Sequence, residues 1–236
     1  MAWVRGVIER LLNDIYLDFD YTEKVLRLLD NETPEITGDP RAIENSYAVN
    51  VVGILLLEMV QNKFGDSSLD PEAMSIAPAF STIRRSQVSV NMITADHPTE
   101  RHTIFLGCHI NTWHQFFYEL AHESIHMLGP ANTNEVKIAT LDEGVAVKFA
   151  EDFYREYVFT LTNVPVPESP LNAPQSIYYK AYQAANKLPD LVLLEVRKKF
   201  NNFREVRNPL FYEMTMNHLS ISESELLCSA FDYKSY

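Results

Sequence analysis

The chain has 236 residues, of which 46% are apolar and 22% charged, and its formal net charge is −12. That length supports one catalytic unit or two small lobes around a buried core, and the composition excludes a chain too polar to fold. The acidic balance argues against a nucleic-acid partner, because a negative surface repels phosphate backbones.

The N-terminal stretch MAWVRGVIERLLNDIYLDFD lacks the uninterrupted apolar core of a signal peptide. Its apolar residues, from Val4 to Ile15, recur with helical spacing and predict a helix over 2–17. A short helix is expected at 22–29, then a turn-rich connector. Asp39 with Pro40 behind it predicts the start of a helix that runs to about Lys63. This helix holds the longest apolar run, which Glu58 interrupts after seven residues from Val51. A run that short reads as a core helix, and no membrane partner is expected.

Between 74 and 107 the pattern changes to β-rich runs, AFSTI, QVSVNMI and HTIFLG, which predict a small antiparallel sheet of about three strands. Thr112 and Asn111 are good N-caps for a helix running from Trp113 to the stop signal Gly129-Pro130. A second long helix is expected from about Asn134 to Phe159. A proline-rich connector follows, and the residues from 175 to 231 read as three or four more helices. The fold class is therefore α+β: residues 1–128 form an N-terminal lobe and 129–236 a helical C-terminal lobe, together one catalytic unit. The two cysteines, Cys108 and Cys228, belong to no C-x-x-C pair. They suggest no disulfide framework and point to a reducing, cytoplasmic setting.

Residues 122–126 read HESIH, the pattern H-E-x-x-H. On a helix, positions i and i+4 are rotated by only about 40°, so His122 and His126 project from one face and can share one metal ion. Glu123 then stands beside the metal, placed to take a proton from a bound water. A catalytic zinc usually takes three protein ligands, and two candidates exist for the third. Asn132 follows Gly129 at the spacing H-E-x-x-H-x-x-G-x-x-H, but a neutral amide is a weak zinc ligand. Glu143, in TLDEGVA on the next predicted helix, offers a charged oxygen and leaves the zinc with a net positive charge.

HESIH followed by LDEGVA resembles the gluzincin group of zinc metallopeptidases, over about residues 103–150. The resemblance implies a zincin-like fold, His122, His126 and Glu143 as zinc ligands, and Glu123 as general base and acid. It implies a peptide or protein substrate, cut as an endopeptidase would cut it. A G-x-M-E-N type signature for gripping a free amino terminus is absent upstream. A carboxylate four residues beyond the third ligand is also absent, since Val147 stands there. Support for a ligand histidine falls to Asp142 or Glu119.

In that group a tyrosine or histidine of the C-terminal lobe stabilises the oxyanion, and Tyr178, Tyr179, Tyr182, Tyr212 and His218 are the candidates. An extended substrate is expected to pair with the strand at 103–107, taken as a sheet edge. The residues ahead of the motif raise the expectation that the N-terminal helices cover the cleft as an inhibitory segment. Two other functional classes compete with the peptidase. One is a regulatory or protein-binding module that keeps a zincin fold. The other is a plain helical protein with an accidental motif.

Overall fold

The centre of the molecule is a helix that is buried on most of its circumference. In this computed structural model, which describes residues 1–15, 25, 35–75, 77–91, 101–130 and 138–232, it spans Trp113–His126. Trp113, Phe116, Phe117, Leu120, Ala121 and Ile125 are all essentially inaccessible to solvent. Such a helix is held by packing on several sides, not by its own propensity. Thr112 caps it, its hydroxyl accepting from the Gln115 amide.

In chain order α1 is Ala2–Asp14, α2 is Ser46–Phe64, and the central helix just described is α3. Helix α4 is Thr140–Phe153 and runs on through a wider turn at Tyr154–Phe159 to Thr162. The C-terminal half adds α5 (Ile177–Ala185), α6 (Asp190–Phe200), α7 (Leu210–Thr215) and α8 (Ile221–Cys228). One hydrophobic cluster joins α1 to α8 and takes in both halves of the chain. Helix α2 is long and apolar enough to cross a membrane by length and composition. Here Val51, Val52, Leu55, Leu56 and Val60 are fully buried in the protein core, and α2 packs on α3 and α6.

Strands β1 (Ala79–Phe80), β2 (Gln87–Asn91) and β3 (Arg101–Leu106) form a sheet in the order β1-β3-β2. It is mixed, not wholly antiparallel as the sequence suggested: β1 pairs parallel to β3, and β2 antiparallel to it. The chain leaves β1, passes over the end of β3 and returns as β2, so β3 lies between two arms. Gly107 makes this crossing possible, because a Cβ there would sit 2.0 Å from the Arg84 carbonyl oxygen. The 103–107 strand is therefore central, not the edge expected of it. Among the described residues β1 and β2 are the two outer strands.

Two predicted helix starts are also displaced. Asp39 gives its carboxylate to the Arg41 amide at 2.9 Å, and the α-helix begins only at Ser46. Residues 138–139, expected in a helix, are extended, with Ala139 bridged antiparallel to Ala230. The C-terminal segment thus takes up the backbone groups that an earlier turn of α4 would have used. The short helix expected at 22–29, apart from Val25, lies outside the described residues, as does Asn132.

Candidate metal centre

Helices α3 and α4 run antiparallel, and their register is pinned by polar contacts at two points. At one, the Tyr118 hydroxyl donates to Glu151 Oε1 at 3.0 Å. At the other, His126 Nδ1 lies 2.8 Å from Asp142 Oδ2. Just beyond the first, Phe117 packs on Phe153, with ring centroids 6.2 Å apart. This alignment sets the first turn of α4 against the last turn of α3, where the H-E-x-x-H motif stands.

There His122, His126 and Glu143 converge, their ligand atoms within 4.8 Å of one another, and the group could hold a metal ion. Glu143 Oε2 is 3.2 Å from His122 Nε2 and 3.7 Å from His126 Nε2, and the two imidazole nitrogens are 3.3 Å apart. His126 is oriented by Asp142, whose carboxylate accepts from Nδ1–H and leaves Nε2 turned to the group. Asp142 Oδ2 also holds an ion pair with Arg204 Nε at 3.0 Å. Of the two carboxylates available to support a ligand histidine, Asp142 and Glu119, the structure brings Asp142 into contact.

Burial and charge work against each other here. Burial opposes the charged form of His126, but the carboxylates of Asp142 and Glu143 outweigh it and push the imidazole up to about 10. His122 is half-buried; burial opposes its charged form, but Glu143 outweighs this and raises its pKa above the ordinary histidine value. Burial works to raise Glu143, but the two histidines hold it well below the usual carboxylate range. Glu123 is 5% exposed and has no hydrogen-bond partner for Oε2 among the described residues. Its pKa is raised, chiefly because burial disfavours the charged form, with the histidines pulling the other way. It is a carboxylate placed beside the histidines with a free oxygen and a strengthened affinity for a proton.

The backbone around the group is tightly fitted. A Cβ on Gly144, next to Glu143, would lie 2.7 Å from the Ala181 carbonyl oxygen and 3.0 Å from the Ala185 Cβ. The small residue lets α5 cross α4 closely, and α5 carries Tyr178. The Tyr178 ring is 6.5 Å from the His122 ring and is itself braced by Phe231 at 4.7 Å. The other oxyanion candidates are differently engaged: the Tyr179 hydroxyl accepts from Gln183, Tyr212 is half-buried on α7, and His218 is exposed. Tyr182 has its pKa raised by burial and by Asp152 and Glu151.

At the far end of α3, Trp3 of α1 stacks on His114 with centroids 4.5 Å apart. That contact is about 12 Å along the helix from His122, and much of the N-terminal segment expected to cover the cleft, 16–24 and 26–34, lies outside the described residues. Sequence reasoning missed Arg204 and Phe231. Each reaches the centre through a chain reversal that no local spacing encodes. No known protein family, curated protein or solved structure matches the chain.

Proposed function

We propose that the protein is a zinc-dependent peptidase of gluzincin type, an endopeptidase acting on peptide or protein substrates. His122, His126 and Glu143 are its metal ligands and Glu123 its general base and acid. The observation that carries this reading is the triangle of donor atoms beside the buried, unpartnered oxygen of Glu123. Zinc bonds of about 2.0–2.1 Å in a tetrahedron put neighbouring ligand atoms about 3.3 Å apart. The three edges here are 3.2, 3.3 and 3.7 Å, so the residues present fit the ion. The zincin-like assignment of the fold rests on the same feature, a helix-borne H-E-x-x-H packed against a small sheet with the third donor on the following helix.

When bound, the metal supplies acidity to a water and positive charge for an oxyanion. Glu123 takes the water's proton at its free carboxylate oxygen and returns it to the leaving amine. Its raised pKa suits a group that must hold a proton between the two events. Asp142 keeps His126 in one tautomer throughout. Tyr178, the one candidate with a ring contact to a ligand histidine, is the hydroxyl best placed to donate to the oxyanion. An extended substrate backbone would pair with one of the outer strands, β1 or β2, since β3 is enclosed.

The test is cleavage of a mixed peptide library by zinc-loaded wild type and by Glu123→Gln. Cleavage by the wild type that disappears in the variant, with zinc content unchanged, supports the peptidase. Zinc bound by both and cleavage by neither would replace it with a binding or regulatory module.

A further inference from the structure

We propose that Arg204 is a positioning residue of the metal centre, acting through Asp142 to hold His126 with Nε2 turned toward the ion. The proposal rests on the reading of His122, His126 and Glu143 as a divalent-metal site. Nothing in the H-E-x-x-H motif or its spacing points to Arg204.

The geometry is a chain of two contacts on one oxygen. Asp142 Oδ2 is 2.8 Å from His126 Nδ1 and 3.0 Å from Arg204 Nε. The first is a hydrogen bond; the second is an ion pair by distance, with Arg204 Nε not aligned to donate a hydrogen bond among the described residues, so Arg204 holds the carboxylate by charge and close contact. All three side chains are buried: Asp142 is 2% exposed, His126 6% and Arg204 8%. Water is thus a poor substitute for either partner.

Arg204 is also fixed at its backbone. Its carbonyl accepts from the Ala139 amide at 2.9 Å, and the Asp142 amide in turn donates to the Ala139 carbonyl at 3.0 Å. Phe203, just before it, is buried and packs edge-on against Phe64 at 5.7 Å. The backbone that carries the guanidinium is therefore anchored to the start of α4 on one side and, through Phe203, to the core on the other.

Charge points the same way. Glu123, Asp142 and Glu143 are three carboxylates, each 5% exposed or less. Arg204 neutralises one, and a divalent ion neutralises the other two. A buried site of zero net charge avoids the heavy desolvation cost of an unpaired ion. Removing Arg204 would leave Asp142 held by His126 among the described residues, without the second contact on its carboxylate.

The effect on the metal has two opposing parts. Loss of a nearby positive charge favours binding of a cation. Loss of the clamp on Asp142 lets His126 turn, and removing outer contacts of this kind typically weakens metal binding by about 10–100-fold. Our proposal requires the second to win.

The experiment measures zinc affinity by chelator competition for wild type, Arg204→Gln, Asp142→Asn and the double variant, with the visible spectrum of the cobalt-substituted forms and the melting temperature of the metal-free forms. Arg204→Gln is expected to weaken zinc binding about tenfold or more. It should also change the cobalt spectrum, and in the Asp142→Asn background it should cost less than twofold more. Unchanged or tighter zinc binding in Arg204→Gln, or losses that simply multiply in the double variant, would overturn the proposal and leave the metal site standing. A lowered melting temperature with zinc affinity and cobalt spectrum unchanged would mark Arg204 as structural only and overturn it equally. Wild type that binds no zinc sinks both readings. If Asp142→Asn does not fold, affinity and cobalt spectrum in Arg204→Gln decide.

Discussion

Glu143 Oε2 lies 3.2 Å from His122 Nε2, although the two residues sit on different helices and meet only because α3 and α4 pack antiparallel. The contact joins the two halves of the chain at one point, and the chemistry depends on keeping that register.

Gly144 guards the register from the other side. A Cβ there would stand 2.7 Å from the Ala181 carbonyl oxygen and 3.0 Å from its carbon, and these are backbone atoms that cannot swing away. Gly144→Ala is expected to destabilise the fold by about 1–3 kcal/mol through overpacking, despite alanine's better helix propensity. Urea denaturation measures it. A variant as stable as wild type would show that α5 has room to move.

Tyr178→Phe removes one hydroxyl and keeps the ring that packs on Phe231 and faces His122. If that hydroxyl donates to the oxyanion, kcat falls by about 10²–10³-fold with KM and zinc content little changed. Steady-state kinetics on a cleaved peptide checks this, and an unchanged kcat would remove Tyr178 from the mechanism.

Acid stability should depend on Glu223. Its contact with Lys187, together with the Ser220 amide and hydroxyl, lowers its pKa to about 2. A folded pKa below the unfolded value means that the contribution is present above about pH 4.5 and is lost as pH falls from there toward 2. The pair is partly exposed, Lys187 more so than Glu223, so the effect is modest and screened by salt. Melting curves from pH 6 to pH 2 should show a shallower acid decline for Glu223→Gln than for wild type, and parallel curves would contradict the assignment.

The parts of this architecture legible in the sequence are those written locally. The cap at Thr112, the apolar periodicity after it and the five letters of HESIH lie within one helix, and the expected third member of the group, Glu143, stands with both histidines. The parts that were not legible depend on distant segments. The parallel pairing of β1 requires the 81–86 loop to cross Gly107, which strand propensity does not encode. The late start of α4 is set by Ala230, a residue far along the chain that takes residue 139 into a bridge. Arg204 reads as one more cation in a polar stretch, and its role comes only from the fold that brings it to Asp142.

The central claim is that His122, His126 and Glu143 form one metal site, and metal analysis of purified protein reloaded with zinc tests it most directly. The account predicts one zinc per chain for wild type. Glu143→Ala should bind at least about a hundredfold more weakly, since one ligand's share of a binding energy of about 12 kcal/mol is about 3 kcal/mol. Asn132→Ala should bind as wild type does. Zinc retained at full affinity in Glu143→Ala and lost in Asn132→Ala would contradict the ligand set, and with it the catalytic site built on it.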